Sequence, residues 1–202
     1  MINENPLILF VGRSASGKTT IANMLEENHD FKQVQSYTTR PPRFEGEPGH
    51  IFVSKEDFPK EEDIVAYTMY NGYEYCATLE QVQEADIYVV DVDGVKTILE
   101  NKDRIGRDIH IIYFDCNVAV RIGRMLERGS TDRQIIERLR FDESFDWVPA
   151  LRELTRKFDL PGMWHIWHIH YIEAYNSLDA VYLQVIGKIN MIYDYANYGI
   201  AD

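Results

Sequence analysis

Gly12-Arg13-Ser14-Ala15-Ser16-Gly17-Lys18-Thr19 sets two glycines, a lysine and a hydroxyl at the spacing G-x-x-x-x-G-K-[ST]. Glycines let a backbone wrap a phosphate, and successive N–H groups then point inward as an anion nest. A helix beginning at the end of the loop adds the positive end of its dipole. On this pattern Gly12, Ser14, Ala15, Ser16, Gly17, Lys18, Thr19 and Thr20 are candidate contacts to the phosphates of ATP. Lys18 would reach the β/γ-phosphates as a catalytic cation, and the Thr19 hydroxyl would hold Mg²⁺.

Further cations follow in the run Ser36-Tyr37-Thr38-Thr39-Arg40-Pro41-Pro42-Arg43. Two arginines braced by Pro-Pro present two guanidinium forks to one dianion, and proline lowers the cost of ordering such a loop. A third group comprises Arg121, Arg124, Arg128, Arg133, Arg138 and Arg140. Phosphoryl transfer needs positive charge around the migrating group. Arg121, Arg133 and Arg140 read as solvated helix residues paired with Glu127, Asp132 or Glu137, and Arg124 fits either role.

These residues need elements to hold them. Apolar runs at Pro6–Val11, Ile87–Asp91, Ile109–Phe114 and Ile169–Ala174 are apolar on both alternating faces, as strands buried on both sides of a parallel sheet are. Helical patterns lie between them at Thr19–Glu27, Val95–Asn101, Val118–Glu127 and Leu178–Tyr193. The expected fold class is α/β, a P-loop NTPase-type parallel sheet flanked by helices. Residues 36–85 break the alternation. They read as a small insert of antiparallel strands at His50–Ser54, Asp63–Tyr70 and Tyr73–Tyr75, with Asn71-Gly72 as a hairpin turn. The expected organisation is a core of residues 1–35 and 86–202, a monophosphate-binding insert at 36–85, and an arginine-rich helical lid at about 121–140.

The combination resembles the guanylate kinase family. Ser-x-Thr-Thr-Arg-x-x-Arg followed by Gly46-Glu47 is similar to that family's acceptor-binding signature. The resemblance continues through the phosphate loop, the hairpin ending in Tyr75, Asp91–Lys96, Arg128-Gly129 and Arg138-Leu139. It implies that Ser36, Arg40, Arg43, His50, Tyr75 and Asp91 bind the acceptor, that Arg128 and Arg138 are the catalytic arginines of the lid, that Asn176 lies near the ATP base, and that Mg²⁺ accompanies ATP. It implies transfer of the ATP γ-phosphoryl to a nucleoside 5'-monophosphate, with GMP or dGMP the default acceptor. The departures fall on the base pocket: the family's guanine-reading Glu aligns with Ala66 and its base-contacting Ser with Ala77. A site built to hydrogen-bond a base rejects analogues strongly, and an apolar one does not. Base choice is therefore open. The short loop ending at His50-Ile51 also resembles ribose 1,5-bisphosphate phosphokinases, against which Arg43 argues. A reading of another class is a non-catalytic guanylate-kinase-like module binding phosphopeptides, against which the intact Lys18-Thr19 argues.

Composition narrows the partners. The 202 residues carry 21 Lys+Arg against 33 Asp+Glu, a formal net charge of −12. No nucleic-acid strand and no anionic membrane is expected to bind, because both require many cations on one face. Small nucleotides are the expected partners, with the chain a monomer or homodimer. Met1–Pro6 has no basic leader pattern, no apolar run approaches the ~20 residues of a membrane helix, and Cys76 and Cys116 lie far apart, so a cytoplasmic protein is expected. His165, His168 and His170 sit among Trp164 and Trp167, and with no carboxylate or cysteine completing a set they are expected to hold no metal.

Overall fold

Leu7–Val11 forms β1, and all five of its residues are buried because both faces of this strand are covered. The computed structural model describes residues 5–42, 44–70, 72–144, 146–158 and 169–197, and the side chains of 195–197 are left aside. β1 pairs in parallel with β6 (Ile87–Val89) on one side and β7 (Ile109–Asp115) on the other, and β8 (Ile169–Glu173) extends the sheet beyond β7. The order β6-β1-β7-β8 makes β1 the place where the strand order reverses. In open parallel sheets ligands bind outside the carboxyl ends of the strands at such a switch point.

Period-two alternation divides the core between the two faces of this sheet. Leu7, Leu9 and Val11 pack with Val95, Ile98 and Trp147 on one face. Ile8 and Phe10 pack with Ile21, Leu25, Phe114 and Val185 on the other. The Phe10 and Phe114 rings lie 5.0 Å apart and tilted, a favourable aromatic contact. The covering helices are α1 (Lys18–His29), α3 (Val92–Glu100), α7 (Trp147–Lys157) and α8 (Leu178–Asn197). The shorter α2 (Leu79–Glu84) and α4 (Lys102–Ile105) complete the connections.

A second sheet of four strands has the order β3-β2-β5-β4. It comprises β2 (Ser36–Thr38), β3 (His50–Phe52), β4 (Ile64–Tyr70) and β5 (Tyr73–Thr78). The β4–β5 hairpin is antiparallel and closes at Tyr70 opposite Tyr73, with Gly72 at φ +77° supplying the left-handed turn. Asn71 lies outside the described residues. The expectation of antiparallel pairing fails for β2 and β3, which run parallel in the register Ser36↔His50 and Thr38↔Phe52. The long connection between them carries the chain back to the starting end of β2, as a parallel pair requires.

The arginine-rich stretch is two helices. α5 (Val118–Glu127) begins on Asn117, whose side chain accepts the Val120 N–H. α6 (Asp132–Asp142) begins on Thr131, whose hydroxyl and Gln134 form a reciprocal capping box. Gly129, at φ +75°, turns the chain between them. The run Ile87–Asp91 was expected as a strand, with Asp91 at its end either in the site or capping the next helix. The strand stops at Val89, and Asp91 caps α3, its carboxylate accepting the Gly94 N–H at 2.8 Å.

Candidate active site

The phosphate loop occupies the β1–α1 connection at the switch point of the larger sheet. Gly17 is left-handed at φ +101°, and Ala15 adopts φ +61°, a strained setting for a residue with a Cβ. The Lys18 ammonium donates to Gly12 O at 2.6 Å, Arg13 O at 3.1 Å and Ser16 Oγ at 3.3 Å. Burial among these loop atoms lowers its pKa from 10.5 to about 8, with Asp142 opposing that shift and Arg121 adding to it. Ser16 is buried, whereas Thr19 is exposed at the start of α1.

Two cavities flank this loop. One of about 260 Å³ is lined by Gly17, Thr20, Arg124, Arg128, Leu178 and Val181, among others. Arg124 is fixed there, donating from NH1 to Ala15 O at 3.3 Å and Ser16 O at 3.1 Å. Asn176 does not line it. Its amide turns back to Glu173 O at 3.3 Å, and the residues that reach the cavity from this end are Leu178 and Val181.

The other cavity, of about 280 Å³, is lined by Gly12, Ser14 and Lys18 of the loop and by Ser36, His50, Thr68, Tyr75 and Asp91 across from them. Arg138 of α6 reaches it as well. The structure thus brings Lys18, Ser36, His50, Tyr75, Asp91 and Arg138 to one space from two sheets and a helix. Ser36 Oγ and His50 Nδ1 lie 2.8 Å apart across the parallel β2–β3 pair. Asp91 accepts the Thr68 hydroxyl at 2.9 Å, and desolvation raises its pKa against its hydrogen bonds.

Arg40 does not line this cavity. Its guanidinium is held bidentately by Glu47, at 2.8 and 3.2 Å, above the Phe52 ring. Desolvation works against its charge, but the bonds to Glu47 and Tyr75 outweigh it and raise its pKa. Arg43 lies outside the described residues, as do Trp164, His165, Trp167 and His168. His170 is described, buried beside His110 with Nε2 3.5 Å from Nδ1. Among the described residues no group of three or more His, Cys, Asp or Glu is arranged to hold a metal ion.

Arg133 pairs on the surface with Glu137 at 2.9 Å, as expected. The expectation of a solvated Arg121 is wrong: it is 1% exposed and paired with the equally buried Asp142 at 3.1 Å. An arginine on a charged helical stripe reads as solvated when its partner lies far along the chain. Sequence reasoning also missed Tyr88. It is buried at the cavity wall in contact with Ser36, and desolvation raises its pKa strongly. A tyrosine inside an apolar strand run gives no other signal.

Among the described residues no helix is long and apolar enough to cross a membrane. No protein family model matches the chain. The guanylate kinase of Neisseria meningitidis serogroup A is 30% identical over 145 residues, covering 65% of this chain and 69% of that protein. The guanylate kinase of Clostridium tetani is 28% identical over the same length, covering 66% and 69%. The crystal structure of guanylate kinase from Anaplasma phagocytophilum superposes with a TM-score of 0.54 at 18% identity, covering 98% of this chain and 90% of that one, which shows the shared fold. With its phosphate loop at the switch point of a parallel sheet and a second small sheet facing it, the chain belongs to the guanylate kinase family.

Proposed function

We propose that this protein transfers the γ-phosphoryl of ATP to a nucleoside 5'-monophosphate, giving ADP and a nucleoside diphosphate. The observation that carries the reading is the single cavity joining Lys18 and Ser14 of the phosphate loop to Ser36, Tyr75, Asp91 and Arg138. The phosphate loop and the small sheet face one space, which suits a transfer between two phosphates held in line, with Arg40 beyond its lining. The cavity beyond Gly17, with Arg124, Arg128 and Leu178, suits the donor nucleotide.

On this reading Lys18 exchanges its loop carbonyls for donor phosphate oxygens, and Arg128 and Arg138 neutralise charge on the migrating group. The exposed Thr19 hydroxyl at the loop's end is suited to Mg²⁺, which when bound supplies charge neutralisation between donor phosphates. No general base is needed, because an acceptor phosphate is already ionised at neutral pH. Positioning and electrostatics then carry the rate. Arg40, with Tyr75 beside it, is the acceptor-phosphate cation, and phosphate entry competes with Glu47 for its fork.

The acceptor's base is the finer question. Ala66 and Ala77 stand directly opposite one another on β4 and β5, and both are buried in the core. They offer no polar group to a base edge. The acceptor oxygens of Asp91 already take the Gly94 N–H and the Thr68 hydroxyl. GMP and dGMP remain the default from the family, with weaker discrimination among bases expected. The test is ADP release from ATP with GMP, dGMP, AMP, CMP, UMP, dTMP and ribose 1,5-bisphosphate. Turnover with several monophosphates supports this reading. Strict guanine selectivity removes its relaxed-pocket part, and turnover with the bisphosphate alone replaces it by the sugar-phosphate alternative. No ADP with any acceptor favours a binding module.

A further inference from the structure

The two ends of the lid arm meet at one buried ion pair. Arg121 lies in the first turn of α5 and Asp142 is the last residue of α6, and each side chain is 2% exposed. Asp142 is also tied to the phosphate loop. Its Oδ2 accepts the Ser14 N–H at 2.9 Å and its Oδ1 accepts the Ser14 hydroxyl at 3.2 Å. Its backbone carbonyl accepts Trp147 Nε1 at 2.8 Å, which docks α7 on the same point. Phosphate loop and lid base therefore converge on the Asp142 carboxylate, and α7 on the backbone carbonyl of the same residue.

As a device for stability alone this pair is a poor choice. Desolvation raises the Asp142 pKa against the pull of Arg121 and Ser14. The Nε and Nη2 of Arg121 find no hydrogen-bond partner of good geometry. Well-packed apolar residues of similar volume usually hold helices together as well as a buried ion pair does. What apolar residues cannot supply is a charged acceptor for the Ser14 N–H and hydroxyl, together with a cation behind it.

We infer that Asp142, backed by Arg121, is a positioning residue for the transfer proposed above. It fixes Ser14 of the phosphate loop to the base of the lid. That fixes the register between Lys18 and Arg138, because Arg138 stands one helical turn before Asp142 on α6 and faces the cavity Lys18 lines. Arg121 acts through Asp142 and does not itself line either cavity. The inference rests on the phosphotransfer reading.

The test replaces the pair together, Arg121→Met with Asp142→Leu, so that no buried charge is stranded. Thermal midpoint, kcat, both KM values and hydrogen exchange at the Ser14 amide are measured. The expected result is a midpoint equal to or above the parent's, kcat at least tenfold lower, acceptor KM within about twofold, and faster Ser14 exchange. A folded pair variant with parental kcat and parental Ser14 exchange overturns the inference. If that variant does not fold, Arg121→Gln with Asp142→Asn gives the answer, since it removes both charges while keeping polar side chains of similar size and leaves the phosphate loop itself unchanged. It should lower kcat severalfold without moving acceptor KM, and parental kcat would overturn the inference. A parent chain inactive with every acceptor overturns the functional reading and the catalytic part of this inference together. An active parent matched by its pair variant overturns the inference alone.

Discussion

Two residues carry most of the charge logic of the site, and each yields a measurable consequence. Lys18 holds its proton only below about pH 8, because loop packing desolvates the ammonium. Its folded pKa lies below its unfolded 10.5, so between these values the unfolded chain binds more protons and stability rises with pH. Activity runs the other way: kcat/KM for ATP should fall about tenfold per pH unit above about 8, as the free enzyme loses the cation that meets the donor. With donor bound, phosphate charge holds the proton, so kcat should stay flat to higher pH. Coincident alkaline limbs in the two profiles would contradict this. On the proposed function Arg40 governs the other substrate. Its fork is already shaped for two oxygens by Glu47, so Arg40→Ala should raise acceptor KM about 10- to 100-fold while leaving ATP KM within about twofold. Initial rates over a grid of both substrates check it, and unchanged acceptor KM would remove Arg40 from the site.

At the scale of elements, Gly94 lets α3 approach Val90, just past β6, more closely than a residue with a Cβ could. A Cβ built on Gly94 would lie 2.2 Å from Val90 Cγ2, a stiff branched side chain. Gly94→Ala should therefore push α3 away, disturb the Asp91 cap and lower stability by about 1–3 kcal/mol. Gly123 is the control: nothing lies within 4 Å of its added Cβ on α5, so Gly123→Ala should raise stability by up to ~1 kcal/mol. Chemical denaturation of both variants tests the pair of signs. The same elements show what a sequence reveals. β1, the phosphate loop and the start of α5 are local patterns, with an apolar run, glycine spacing and an Asn117 cap all within a few residues. The parallel pairing of β2 with β3 and the length of β6 are not local. The first depends on where a long connection returns, and the second on Asp91 taking the Gly94 N–H rather than staying in the ladder. α7 was missed because its apolar face, Trp147, Leu151 and Leu154, has meaning only against α3 and β1. In the site, Lys18 was legible from spacing and Asp91 only through the family resemblance, whereas Asp142, Arg121 and Tyr88 are defined by partners distant in sequence.

At the scale of the molecule, a ligand bound as proposed in the cavity that meets both sheets would link them. Gly12, Ser14 and Lys18 belong to the larger sheet's loop, and Ser36, His50 and Tyr75 to the smaller sheet. An acceptor held between them stabilises their relative placement as well as each sheet. The net charge of −12 sharpens the expectation. A chain this acidic repels anions in general, so affinity for a nucleotide must come from cations gathered at the site. Any ligand that binds only the folded state at 100 times its Kd adds about 2.7 kcal/mol, which for a chain of this length is a rise of about 5–10 °C in thermal midpoint. The preferred monophosphate should give that rise alone, and ATP with Mg²⁺ should give a separate one. Arg40→Ala should erase the first and keep the second, because its fork lies on the small sheet and touches nothing of the donor loop. The measurement is a thermal melt of parent and variant with each nucleotide. Loss of both shifts would mean that Arg40 holds the fold rather than the acceptor. Retention of both would mean that the acceptor phosphate is bound elsewhere, with the Arg40–Glu47 pair serving only to tie the loop after β2.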